Sequence, residues 1–157
     1  SDIHQDHVVR AVENLGVVAV PADKIHTLDV DVFSPCAMGG AINDQTLPAL
    51  RASVIAGAAN NQLASPEHGV ALHGRGVLYV PDYAVNAGGI IDICYQHYGS
   101  NYSDVRHHVD RTADTLEEIF KRSRRENRPT HEVADELAEE RFQGFADPRE
   151  QPELAMG

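Results

Sequence analysis

Three asparagines, Asn60, Asn61 and Asn86, carry the clearest chemical signal in this chain. Each carboxamide presents donors and an acceptor to whatever lies beside it. They sit in two short runs rich in small residues, Ala58-Ala59-Asn60-Asn61 and Asn86-Ala87-Gly88-Gly89-Ile90. An apolar, strand-like stretch precedes each run. Ser53-Val54-Ile55-Ala56-Gly57 leads into the first, and Gly76-Val77-Leu78-Tyr79-Val80 with Pro81-Asp82-Tyr83 leads into the second. Small residues let a flat ligand approach the backbone closely. In an open parallel sheet the ligand crevice lies outside the carboxyl ends of the strands. A turn followed by a helix cap explains either run alone. Repetition at successive strand ends favours a site.

The elements that would position these residues alternate. Residues 3–15 read as an amphipathic helix with Val8, Val9, Val12 and Leu15 on one face and Gly16 ending it. Short apolar strands are predicted at residues 17–20, 29–33, 53–58 and 77–80, with a helix over 43–51 between the second and third. Ser65-Pro66-Glu67 is a helix start: a hydroxyl cap, proline in the first turn and an acid near the positive end. Gly74 and Gly76 end that helix. This alternation indicates a parallel sheet in an α/β fold. Beyond Gly89 the pattern turns helical. A helix carries Ile90, Ile91, Ile93 and Cys94; another, capped by Ser103, runs over 103–125; a third, capped by Thr130, runs over 131–142. The expected division is 1–100 for the sheet-bearing part, 101–143 for the C-terminal helices and 144–157 for a flexible tail.

Composition narrows the function classes. The 157 residues carry a formal net charge of -11, which argues against nucleic acid because no basic face offsets it. No apolar run approaches the ~20 residues of a membrane span. The start, Ser1-Asp2-Ile3, has neither an initiator Met nor a signal-peptide pattern, as expected of a fragment. Cys36 and Cys94 are few and far apart, which suits reduced thiols and a cytoplasmic location. No Walker A loop, G-x-S-x-G elbow or G-x-G-x-x-G fingerprint occurs. None of the nine histidines forms H-E-x-x-H, and no metal is expected. Lys121-Arg122-Ser123-Arg124-Arg125 reads as a solvated basic helix end.

Three runs bring the chain to a family. They are Asp31-Val32-Phe33-Ser34-Pro35-Cys36-Ala37-Met38-Gly39-Gly40, Val54-Ile55-Ala56-Gly57-Ala58-Ala59-Asn60-Asn61-Gln62-Leu63, and Pro81-Asp82-Tyr83-Ala84-Val85-Asn86-Ala87-Gly88-Gly89-Ile90. In order and spacing they resemble the glutamate/leucine/phenylalanine/valine dehydrogenase superfamily, most of all its leucine dehydrogenase branch. The resemblance reaches to about Phe142 and covers only the C-terminal part of such an enzyme. It implies a Rossmann-like doubly wound parallel sheet, here without its first strand and glycine-rich turn, followed by C-terminal helices. It implies NAD as cofactor and oxidative deamination of an L-amino acid to its 2-oxo acid and ammonia.

The resemblance also implies roles. Asp2 is similar to the acid that binds the adenosine ribose hydroxyls, where a carboxylate favours NAD over its phosphorylated form; an ordinary helix cap is the alternative. Cys36 and Ala37 resemble the wall beside the cofactor, Asn60 a ligand of the nicotinamide ribose, and Asn61 the amide bridging cofactor and amino acid. Asn86 begins the helix whose first turn faces the cleft. Ile90 and Ile93 share a helical face and match the positions lining the substrate side-chain pocket. Where glutamate-specific members are similar in using a serine, this chain has Ile93, and a buried carboxylate there would lack a partner. The implied substrate is therefore leucine, isoleucine or valine, with phenylalanine still open. Core packing is the alternative for both isoleucines.

The family's catalytic lysines and aspartate belong to an N-terminal domain with no counterpart here, so no catalytic residue is assigned in this chain. The expected partners are the amino-acid substrate, that missing domain and further copies in a homo-oligomer. Without its central strand the sheet would expose edges, so the chain alone is expected to be inactive. A nucleotide-binding module without turnover and an oligomerisation piece are the alternatives from other classes.

Overall fold

The computed structural model describes residues 1–97, 99 and 101–144. The first helix, α1 (Gln5–Leu15), ends as expected at Gly16, whose left-handed backbone (φ 65°) suits a residue without Cβ. None of the α1 residues is buried, and Val9, Val12 and Leu15 present an uncovered apolar face. The strand expected at 17–20 does not form; Val18 is 85% exposed. Extended backbone becomes a strand only where a neighbour takes up its hydrogen bonds, and the described residues supply none there.

Three parallel strands follow: β1 (Val32–Phe33), β2 (Val54–Ile55) and β3 (Leu78–Tyr79), in the order β1-β2-β3. Val32 pairs with Val54 and Val54 with Leu78; Phe33 pairs with Ile55 and Ile55 with Tyr79. The expected α/β class is therefore observed, with shorter strands than the apolar runs predicted. Phe33, Ile55 and Tyr79 occupy successive positions of one register row. They pack with Ile42, Leu50 and Leu72 into a core completed by Leu47, Leu63 and Val77.

The helix expected over 43–51 is only a 3-10 turn, Leu47–Ala49. Asn43 and Thr46 take the backbone there into side-chain bonds instead: Asn43 Oδ1 accepts from the N–H groups of Gln45 and Thr46. The next helix, α2 (Pro66–Gly74), begins where Ser65 and Pro66 predicted, and His68 Nδ1 accepts the Ser65 N–H at 3.1 Å.

After β3 the chain is helical: α3 (Asp82–Val85), α4 (Gly88–His97), α5 (Tyr102–Asp110), α6 (Thr112–Glu126) and α7 (Thr130–Gly144). The single helix expected over 103–125 is divided at Arg111, and its cap is Asn101, which accepts from Ser103 and Asp104, rather than Ser103. Thr130 does not cap α7. Its hydroxyl donates to the Tyr79 carbonyl at 2.6 Å and ties the helix to β3. Ile119 of α6 and Val133, Ala134 and Leu137 of α7 form a second core. Arg122 and Arg128 join the two helices through Glu126, Glu136 and Glu140. Of the flexible tail expected at 144–157, Gly144 instead ends α7, and residues 145–157 lie outside the described residues.

His131 of α7 lies against α2. A Cβ on Gly69 would sit 2.4 Å from its ring, so only glycine allows this approach. Its Nδ1 is buried with no partner among the described residues. Desolvation lowers its pKa from the ordinary 6.5, despite the opposing charges of Glu132 and Asp135. The unfolded chain then takes up the proton more readily. Stability should fall as pH drops below about 6.5, and the contribution of His131 should be constant above it. Denaturant titrations across that range should show a shallower loss for His131→Asn than for the natural chain.

Candidate functional site

Because all three strands are parallel, their carboxyl ends share one edge of the sheet. Pro35 and Cys36 leave β1 there, residues 57–61 leave β2, and residues 80–86 leave β3 through α3. These crossings are close. A Cβ on Gly57 would lie 2.1 Å from the Pro35 carbonyl oxygen, and the Ala59 N–H donates to that same oxygen at 2.9 Å. Cys36 Sγ stands 3.3 Å from Ser34 Oγ and accepts the Ala58 N–H at 3.5 Å. The thiol thereby links the first two strand ends while remaining exposed, as does Ala37.

The carboxamides meet at the next crossing. Asn86 Nδ2 donates to Asn60 Oδ1 at 2.5 Å and to the Ala58 carbonyl at 3.3 Å. That contact fixes which way the Asn60 amide faces. Its Nδ2, and the whole side chain of Asn61, are without hydrogen-bond partners among the described residues. Both residues are exposed. Asn61 has a left-handed backbone (φ 53°), which a short polar side chain tolerates. Its carbonyl accepts the Gly40 N–H at 2.7 Å, and Ile42 bridges to Leu63 just beyond. The loops after β1 and β2 thus support each other.

Two residues in these loops carry more than their sequence context suggested. Gln62 is fully buried and its Nε2 donates to the carbonyls of Gly57 and Ala59 at 2.7 and 3.0 Å. Asp82 is 6% exposed, and its Oδ2 accepts the Gln62 N–H at 2.6 Å and the Tyr79 hydroxyl at 3.3 Å. Burial pushes the Tyr79 phenol well above its usual range, with the Asp82 charge adding to the shift, so the phenol stays a donor. Both residues stand inside the runs that carry the family pattern. Their polarity at a strand end was the available signal.

Ile90 and Ile93 lie on α4, which begins two residues after Asn86. They are 66% and 63% exposed. The alternative that they are core residues is therefore overturned for the described chain. Asp2 is held beside α1: its Oδ1 accepts the His4 N–H at 2.8 Å and its Oδ2 stands 3.5 Å from His7 Nδ1. The His4 bond, aided by the histidines, keeps its carboxyl below the usual range and so ionised. The N-cap of α1 is His4, which has no side-chain cap bond, so Asp2 sits ahead of the helix and does not cap it. The structure brings together Cys36, Asn60 and Asn86, with Asn61 adjoining; Asp2 has no bond to that group.

A groove of about 1150 Å³ runs between α3, α4, α6 and α7, lined by Tyr83, Ile91, Ile119, Leu137 and Arg141 among others. Tyr83 crosses one end, donating to Asp135 Oδ1 at 2.6 Å and to the His131 carbonyl at 3.1 Å. Among the described residues no three His, Cys, Asp or Glu side chains gather as metal ligands, and no helix is long and apolar enough to cross a membrane.

Known proteins match this arrangement. The family model for glutamate/leucine/phenylalanine/valine dehydrogenase matches residues 3–141. Leucine dehydrogenase of Geobacillus stearothermophilus is 45% identical over 143 residues, 91% of this chain and 39% of that protein. Phenylalanine dehydrogenase of Caldalkalibacillus thermarum is 45% identical over 127 residues, 81% of this chain and 34% of that protein. The crystal structure of L-tryptophan dehydrogenase from Nostoc punctiforme superposes with a TM-score of 0.88 at 38% identity, covering 91% of this chain and 43% of that one. The chain thus spans about two fifths of the length of the curated relatives it matches.

The contact between Gly57 and Pro35 yields a direct expectation. Gly57→Ala forces backbone against backbone, and overpacking of this kind costs about 1–3 kcal/mol or more. A lowered denaturation midpoint should accompany faster reaction of Cys36 with thiol reagents, as the strand ends separate.

Proposed function

The chain belongs to the glutamate/leucine/phenylalanine/valine dehydrogenase family, and from that premise we propose that it is the cofactor-holding part of an NAD-dependent L-amino-acid dehydrogenase. The proposed reaction is the oxidative deamination of a branched-chain, leucine-like amino acid to its 2-oxo acid and ammonia. The observation that carries this reading is the exposed Asn60 at the carboxyl edge of a parallel sheet, its Oδ1 held by Asn86 and its Nδ2 without a partner among the described residues. NAD, when bound, accepts the hydride that leaves the amino acid's α-carbon.

The residues present fit such a cofactor. Ala37 and Ala58 are small and exposed, so a flat group can lie against the strand ends. Asn60 supplies an oriented N–H pair for a ribose hydroxyl, and Asn61 can reach both cofactor and amino acid. Cys36 and Ala37 form the wall of that cleft. The ionised carboxyl of Asp2 suits ribose hydroxyls and opposes an added phosphate. Ile90 and Ile93 offer an aliphatic surface to the substrate side chain, and a second carboxylate placed there would be desolvated without a partner. Proton transfers belong to residues outside this chain.

The same reading explains what the fold leaves uncovered. Val32 in β1, Val30 ahead of it, Val17 and Val18, and the apolar face of α1 are all exposed. We assign their cover to the remainder of the parent enzyme, including the strand and glycine-rich turn implied upstream. The division into a sheet-bearing part over 1–100 and C-terminal helices over 101–143 belongs to this proposal. So do assembly as a homo-oligomer and a cytoplasmic site of action, which the free thiols of Cys36 and Cys94 suit.

Three outcomes test it. The intact enzyme should form NADH with L-leucine and little with L-glutamate, whereas the 157-residue chain alone should form none; turnover by the isolated chain would contradict the proposal. Saturating NAD should shield Cys36 from iodoacetamide and leave Cys94 reactive; equal labelling with and without NAD would sink the cofactor assignment. Ile93→Ser should lower kcat/KM for leucine by about 10- to 200-fold, the usual worth of aliphatic contacts in a specificity pocket.

A further inference from the structure

The exposed carboxamides do not hold themselves in place. Residues 57–61 make no regular secondary structure, and Asn61 adopts a left-handed backbone. Beneath them, the Gln62 amide closes the loop by donating to the carbonyls of both Gly57 and Ala59. The backbone N–H of the same residue is fixed by Asp82 Oδ2, which also accepts the Tyr79 hydroxyl. Asp82 opens α3, and Asn86 closes it, its N–H donating to the Asp82 carbonyl at 2.9 Å. One short path therefore joins the support of Asn60 and Asn61 to the support of Asn86.

Packing alone does not account for Gln62. Its Oε1 is buried with no partner among the described residues, and an apolar side chain of similar size would avoid that cost. The amide end is what the site needs, because only an N–H pair can bind two carbonyls at once. Asp82 is comparable: a buried carboxyl with no basic partner among the described residues, set between the two strand-end loops.

We infer that Gln62 and Asp82 are positioning residues that set the spacing and facing of Asn60, Asn61 and Asn86, and so tune how tightly the nicotinamide end of the cofactor is held. The inference rests on the cofactor reading above and adds to it a distinction between the two ends of the dinucleotide. The adenosine end, assigned to Asp2, lies outside the reach of this bracket.

Calorimetry on the intact dehydrogenase tests it with two probes, NAD and ADP. Gln62→Leu and Asp82→Ala should weaken NAD binding by about tenfold, the effect of one or two lost hydrogen bonds, and leave ADP binding within about twofold. Asp82→Asn keeps an acceptor at the same place and should restore most of the NAD affinity. The amino-acid KM should rise more than kcat falls in the two weakened variants. Parallel losses of NAD and ADP affinity would mark the pair as merely structural and overturn the inference, as would unchanged NAD binding. If the natural enzyme binds neither probe, the cofactor reading itself fails and the inference falls with it.

Discussion

Oδ2 of Asp82 accepts the backbone N–H of Gln62 and the hydroxyl of Tyr79. The first donor follows β2 and the second ends β3. Past the bond from the Val80 N–H to the Ile55 carbonyl, this one buried atom ties the two strand ends together beneath the Asn86 contacts. Buried polar groups are costly unless partnered, so this atom restricts both loops to the arrangement that satisfies its donors. Gln62 then extends the restriction to the carbonyls of Gly57 and Ala59, and α3 extends it to Asn86. The exposed amides stand on a rigid underside.

The helices reinforce that underside from behind. Thr130 binds the Tyr79 carbonyl, and Tyr83 binds α7 at Asp135 and His131. Burial raises the Tyr83 phenol above its usual range, and its bond to Asp135 raises it further, so it remains a donor. Two helical residues thereby fix β3 at its end and α3 at its start. Support is uneven across the sheet. The β3 side is packed by α2 and α7, whereas Val32 of β1 is exposed and α1 has no buried residue. Uncovered apolar faces of this kind mark contact surfaces.

Local signals made much of this legible in the sequence. Gly16, Ser65-Pro66 and the apolar runs around Val54 and Leu78 placed their elements, because each acts through its own backbone or nearest neighbours. The errors fall where other bonds override a local propensity. Residues 17–20 have a strand's composition but no strand to pair with. Residues 43–51 have helical spacing, yet Asn43 and Thr46 bind the backbone in place of a helical turn. Thr130 is a good cap by type, but a strand carbonyl 51 residues away takes its hydroxyl. At the site, the asparagines were visible as exposed amides at strand ends, and the family pattern gave them roles. Gln62 and Asp82 were hidden in the same runs, because only the fold shows which polar side chain points inward. The exposure of Ile90 and Ile93 likewise required the structure, since helical spacing suits a core as well as a pocket.

The proposed function depends on where NAD would sit. A crystal structure of the intact dehydrogenase with NAD tests that most directly. The nicotinamide ribose should lie within hydrogen-bond reach of Asn60, with Cys36 and Ala37 alongside and Gln62 still bound to Gly57 and Ala59. A dinucleotide seated in the groove between α4, α6 and α7, or one whose nicotinamide end lies away from Asn60, Asn61 and Asn86, would contradict it.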